Sequence, residues 1–133
     1  MPRLSVNPPV RNPACAGSFI QTITATEKGK EIGKAVWFSS PTQPGTVQVL
    51  SIEIEPTRQR QGIGSQLMVR VMEESHKRSK LLNAPLRRIW VLVEQKTQIT
   101  ARGFLTRHGF HHVKTIDSLY KDEAAMAYVK SFD

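Results

Sequence analysis

Two glycines, Gly62 and Gly64, lie inside the run Gln59-Arg60-Gln61-Gly62-Ile63-Gly64-Ser65. Glycine lets backbone come close to a ligand. The first N–H groups of a helix have no intrahelical partner, and with the helix dipole they attract anions. The run falls between an alternating apolar segment, Thr46 to Ile54, and a long amphipathic one. It therefore reads as a strand, a turn at Pro56-Thr57 and a helix starting near Gln61: a phosphate cradle made of backbone. Spacing removes two familiar versions. A P-loop requires Lys-Ser/Thr after its second glycine, where this chain has Ser65-Gln66. A dinucleotide fingerprint requires a small residue where Leu67 stands.

Carboxylates offer a second chemistry. Glu53 and Glu55 are two apart on the strand before the cradle, so they share a face, roughly 6.5–7 Å apart along the chain. Ile52 and Ile54 point the other way. Either glutamate could act as a general base, and either could equally be a solvent-facing carboxylate in a basic protein. His108, His111 and His112 do not suggest a metal site. Gly109 ends a helix between them, and adjacent strand residues face opposite sides. His108 reads as a helix-end cation favoured by the dipole, and no metal is expected.

The pattern Gln/Arg-x-x-Gly-x-Gly after a strand resembles motif A of the GCN5-related N-acetyltransferase (GNAT) family. The run from Ser51 through Pro56 to Leu67 extends the likeness. A second block, Ala101-Arg102-Gly103-Phe104-Leu105-Thr106-Arg107-His108-Gly109-Phe110, is similar to motif B, the helix ending in Gly-Phe. The resemblance spans roughly residues 46 to 116. It implies acetyl-CoA as co-substrate, an amine acceptor of small-molecule or protein type, and direct attack in a ternary complex. Amides from Arg60 through Ser65 would hold the pyrophosphate, and backbone of Ile52 and Ile54 would pair with the pantetheine arm. The cofactor contacts implied are thus Ile52, Ile54, Gln59, Arg60, Gln61, Gly62, Ile63, Gly64 and Ser65, with Gln98 and Ala101 from the second block. Members often use a glutamate on this strand as base, which points to Glu53 or Glu55.

The chain departs from the family at the acid. Where many members carry a tyrosine that protonates the leaving thiolate, this chain has Leu105; where an asparagine is frequent, it has Gln98. The thiolate leaves unassisted, or Tyr120, Tyr128, His108 or Cys15 replaces the donor, with Tyr120 the chosen candidate. The alternative function is a non-catalytic acyl-CoA-binding sensor or scaffold.

These groups need elements to position them. Phe19 to Thr26 and Glu31 to Ser39 form a hairpin about Lys28-Gly29-Lys30, and Thr46 to Ile54 adds a strand. Helix one, about Gln61 to Leu82, has an apolar stripe at Ile63, Leu67 and Val71 with Met68 and Met72 beside it. Glu73 with Lys77 and Glu74 with Arg78 are i,i+4 pairs. The apolar run Ile89-Trp90-Val91-Leu92-Val93 reads as a parallel strand buried on both faces, with Trp90 and Trp37 in the core. A second helix, about Gln98 to His108, stops at Gly109. Phe110 to Ile116 and Ala125 to Phe132 form a last antiparallel pair. The order β-β-β-α-β-α-β-β gives an α/β (α+β) class: a mixed, splayed sheet around one β-α-β unit. A short strand at Leu4 to Val6 and a Pro-rich arm through residue 17 precede it. That arm leaves little chain for the helices that usually build the acceptor side, so a trimmed, open acceptor side is expected.

The 133 residues suit a single domain. A net charge of +8 implies an anionic partner, which coenzyme A satisfies. The basic run His76-Lys77-Arg78-Ser79-Lys80 also invites nucleic acid, but it lacks interleaved aromatics and suits a helix end; nucleic acid is the lesser reading. Cys15 is the one cysteine, compatible with a reducing cytosol. No apolar run reaches the roughly 20 residues that span a bilayer, and no signal-peptide pattern opens the chain. A cytoplasmic protein without a membrane partner is expected, and a homodimer through the C-terminal strands fits the resemblance.

Overall fold

The computed structural model describes residues 3–6, 10–11, 19–39, 45–59, 61–94, 98–120 and 123–132. The elements are β1 (Arg3–Val6), β2 (Val10–Arg11), β3 (Phe19–Glu27), β4 (Lys30–Ser39), β5 (Thr46–Ile54), α1 (Ile63–Leu81), β6 (Arg88–Glu94), α2 (Gln98–Arg107), β7 (His111–Tyr120) and β8 (Glu123–Ser131). One mixed sheet runs in the order β1-β3-β4-β5-β6-β8-β7, with β2 also on β3. The class is that expected. The β3–β4 hairpin turns on Lys28 and Gly29, both at positive φ, the two-residue geometry that matches strand twist.

Strand β5 is antiparallel to β4 and parallel to β6. Its pairing with β6 covers Thr46 to Val49 opposite Arg88 to Val91 and goes no further. The register against β4 slips at the same point: Val36 faces Ser51 while Trp37 faces Val49. Leu50 is therefore the extra residue of a bulge, and it is exposed. Before the bulge Val47 and Val49 are buried; after it Ile52 and Ile54 pack on the core instead. The bulge thus moves the inward set by one residue and opens β5 from β6.

Helix α1 lies on β3, β4 and β5. Its buried stripe is Ile63, Leu67, Met68, Val71, Ser75 and Ser79, so the stripe runs two turns beyond the apolar residues on small serines. Gly33 lets the helix sit close. A Cβ there would stand 3.0 Å from Ile54 Cδ1, 3.2 Å from the Glu53 carbonyl and 3.4 Å from Ile63 Cγ2. Leu105 and Phe110 bring the end of α2 into the same core.

Several details differ from expectation. The short strand expected at Leu4 to Val6 is present as Arg3–Val6, but Val10–Arg11 is a further one that was not expected; both pair with β3, so five strands precede α1. Strands β7 and β8 reach a tip at Tyr120 and Glu123, longer than the apolar residues indicated. Trp37 is buried, but Trp90 is only half-buried, because it points to the face away from Ile89 and Val91. Glu74 pairs with Arg70 (3.4 Å) and Lys77 (3.2 Å), while Glu73 pairs with Arg70 (3.9 Å). The three-residue spacing and Arg70, one turn earlier, provide these partners. Residues 12–18 of the Pro-rich arm, Cys15 among them, lie outside the described residues.

Candidate active site

The carboxyl ends of β5 and β6 diverge where α1 begins and where the chain returns through α2. In open α/β sheets such a divergence is where ligands enter. After β5, Pro56–Arg58 makes one turn of 3-10 helix, and Gly62 caps α1 at φ 80°. That left-handed conformation costs a residue with a Cβ about 1–3 kcal/mol. The first helical hydrogen bond is Gln66 N–H to the Gly62 carbonyl at 3.1 Å, so the amides of Ile63, Gly64 and Ser65 precede the helical ladder. No side chain caps them, and the first turn holds no acidic residue. A Cβ on Gly62 would meet nothing within 4 Å. Free donors, a positive dipole end and open space together fit a phosphate.

Arg58 holds the approach to this cradle. Its guanidinium donates to Glu27 at 2.7 Å and to the Gln61 side-chain oxygen at 2.9 Å. The hydrogen bond to Arg58 keeps the Glu27 carboxyl below the usual carboxylate range, and the same bond raises Arg58. Sequence reasoning passed over Arg58. Glu55, three residues before it, is the acidic neighbour the sequence offers, and nothing local points to Glu27 instead. Gln59 and Gln61 are exposed, and Arg60 lies outside the described residues.

The strand edge has a definite polarity. Glu55 N–H donates to the Ile32 carbonyl at 2.9 Å, which fixes the phase of the β4–β5 ladder. Main-chain groups alternate sides along a strand, so those of Glu53 and Glu55 face β4. Those of Ile52 and Ile54 face the side from which β6 has parted. An extended chain could pair there as an added strand.

Glu53 is exposed, with Lys34 Nζ at 3.5 Å; Glu55 is less so, with Lys30 Nζ at 3.2 Å. Both line a shallow groove of about 280 Å³ with Glu31, Ile32, Gly33, Lys34 and Ile54. Tyr120 lies at the tip of the β7–β8 hairpin. Since Ala125 of β8 pairs with Glu94 at the end of β6, the tip is at the same end of the sheet as the cradle. Tyr128, by contrast, is buried within β8, and Leu105 is buried in the core. Gln98 opens α2 and Ala101 is half-buried one turn on.

His108 corrects the sequence reading. It follows α2 as its C-cap, but Nε2 lies 3.0 Å from Ser65 Oγ in the first turn of α1. Burial lowers its pKa first, and Lys130 and Arg107 lower it further. The ring is thus held toward neutrality, the opposite of a dipole-favoured cation. Its edge meets Phe104 at 4.9 Å between centroids, and the Phe104 ring lies 3.4 Å from where Gly64 would carry a Cβ. No group of three or more potential metal-binding side chains occurs among the described residues.

Residues 19–112 match the family model described as the acetyltransferase (GNAT) domain. That is well over half of the chain, and the protein belongs to this family. It is an acyltransferase of the acetyl-CoA-dependent GNAT type. Solved structures agree on the fold. A ribosomal-protein-S18-alanine N-acetyltransferase from Escherichia coli shares 20% identity, with TM-score 0.68 over 83% of this chain and 67% of that one. An IAA acetyltransferase from Bacillus cereus shares 15%, with TM-score 0.72 over 85% and 78%. A Bacillus anthracis protein named for streptothricin acetylation, in complex with acetyl coenzyme A, shares 19%, with TM-score 0.68 over 87% and 63%. The comparison with curated proteins finds no sequence match. No helix among the described residues is long and apolar enough to cross a membrane.

Proposed function

We propose that the domain transfers an acetyl group from acetyl-CoA to an amine by direct attack in a ternary complex. The observation that carries this reading is the meeting, at one end of the sheet, of an uncapped helix start and the unpaired edge of Ile52 and Ile54. Acetyl-CoA supplies the activated acyl group as a thioester. The amides of Ile63, Gly64 and Ser65, with Gln59, Arg60, Gln61 and Gly62 flanking, would hold its pyrophosphate. Ile52 and Ile54 would align the pantetheine arm, and the Ile54 amide would polarise the acyl carbonyl. Gln98 and Ala101 would bound the site from α2.

Glu53 and Glu55 alternate with Ile52 and Ile54 along β5, and either would take the proton of an amine that attacks that carbonyl. Lys34 and Lys30 lie within ion-pair reach of these carboxylates. Leu105 has no proton to give, so the thiolate departs unassisted or with help from Tyr120 at the hairpin tip. The family's amine acceptors include proteins and small molecules; the acidic groove rim suits a cationic amine of either kind. We further propose a protein of the cytoplasm, acting without metal.

Acetyl-CoA turnover against a panel of amines, followed by thiol release, tests this. Glu53→Gln or Glu55→Gln should lower kcat by about 10²–10⁴-fold, the span of a lost general base, with coenzyme affinity intact. Unchanged kcat in both variants, and in the double variant, would remove the glutamates from the mechanism.

A further inference from the structure

His108 is not among the residues that touch the reacting groups, yet it joins the two halves of the donor site. It caps the end of α2 while its Nε2 reaches Ser65 Oγ, 3.0 Å away, in the first turn of α1. The geometry is built rather than incidental. Gly109 and Phe110 close α2 through hydrogen bonds to Thr106 and Leu105 at 3.0 and 2.9 Å, the Schellman arrangement, with Phe110 and Leu105 both buried. That closure anchors the backbone on either side of His108. Phe104 packs against the ring edge and approaches Gly64 on the other side.

The charged groups around the imidazole are Arg107 on α2 and Lys130 on β8, and both oppose its protonation. Ser65 faces it from α1, and no carboxylate among the described residues contributes to its titration. In this setting an anion arriving at the amides of Ile63 to Ser65 would be the nearest negative charge. An opposite charge within about 4–6 Å favours the protonated ring.

We propose that His108 is the positioning residue of the coenzyme cradle, orienting the Ser65 hydroxyl and taking up a proton when the pyrophosphate binds. The proposal rests on the coenzyme reading of the cradle. Before binding, the ring is neutral near neutral pH and bonds Ser65. After binding, it is cationic, donates to Ser65 Oγ, and leaves the hydroxyl hydrogen free to donate to the anion. Binding is then linked to proton uptake, and by reciprocity affinity rises as pH falls. The sign follows from the ring's pKa being higher in the complex than in the free protein. Affinity is greatest below the free-state pKa, which burial, Lys130 and Arg107 hold below the ordinary imidazole value, and weakens as pH rises through the bound-state value.

The probe is 3′-dephospho-CoA, because the 3′-phosphate of coenzyme A titrates near pH 6, as phosphate monoesters do, and would blur the slope. Calorimetric titration from pH 5.5 to 8.5, in two buffers of different ionisation enthalpy, reads affinity and protons together. The wild type should take up a fraction of a proton and lose affinity toward alkaline pH, at up to about tenfold per unit, the ceiling for one proton. His108→Gln should keep a hydrogen bond to Ser65 and bind as the wild type does at pH 8.5, but show neither the slope nor the uptake. Tight wild-type binding with no proton uptake, or a slope that persists in His108→Gln, would overturn the proposal while leaving the cradle in place. Absence of binding in the wild type at every pH would instead remove the coenzyme reading, and this proposal with it.

Discussion

The two ends of α1 are built to opposite rules. At its C-terminus, Asn83 takes the left-handed conformation at φ 55°. Asn83 N–H then reaches the Lys80 carbonyl (3.1 Å) and Ala84 N–H the Ser79 carbonyl (2.9 Å), a complete Schellman closure. Arg78 and Lys80 lie in the last turn, where the dipole favours cations. At its N-terminus, glycine occupies the cap, no side chain accepts from the free amides and no carboxylate complements the dipole. The chain satisfies one end for stability and leaves the other unsatisfied. A side-chain cap would gain only a few tenths of a kcal/mol over glycine, but its absence leaves these donors open at the end where something else binds.

If the contrast is real, an acid placed in the first turn should separate stability from binding. Ser65→Asp should raise the melting temperature, the dipole being worth about 0.3–1 kcal/mol. It should also weaken coenzyme A about tenfold or more, by setting like charge against the phosphates. A variant that gained in both, or lost in both, would break the comparison. The other end should respond the other way. Asn83→Ala should cost about 1 kcal/mol in denaturant unfolding, since alanine resists the left-handed cap, with coenzyme affinity unmoved. Ser75→Ala is the finest probe. Ser75 Oγ is fully buried with no hydrogen-bond partner, so its removal should stabilise by up to about 1 kcal/mol, again without touching the cradle. A destabilisation there would mean that the serine has an unseen partner.

Most of this architecture was legible in the sequence where local chemistry and periodicity agree. The strand-turn-helix about Gly62, the Lys28-Gly29 hairpin and the stop at Gly109 rest on residues whose backbone preferences admit few alternatives. The bulge at Leu50 was only half legible, because the apolar positions change parity between Val49 and Ile52 without saying which residue is extra. The slip appears only against β4. Ser75 and Ser79 hid the last turns of the buried stripe, since a polar residue gives no hydrophobic signal even when its small size is what the packing needs. Arg58 and His108 were missed as partners of Glu27 and Ser65 for one reason. Their contacts span 31 and 43 residues of chain, and only the closed fold brings them together.

The central claim is that the uncapped start of α1 is the coenzyme site. Coenzyme A and acetyl-CoA should be titrated by calorimetry into the wild type and into Gly62→Val, with circular dichroism confirming that the variant is folded. Valine has open space around its Cβ but must adopt φ near 80°, a strain of about 1–3 kcal/mol that a branched side chain bears at the upper end. The account predicts binding to the wild type and a loss of about ten- to hundredfold or more in Gly62→Val. Equal binding by the two proteins, or none by the folded wild type, would contradict it.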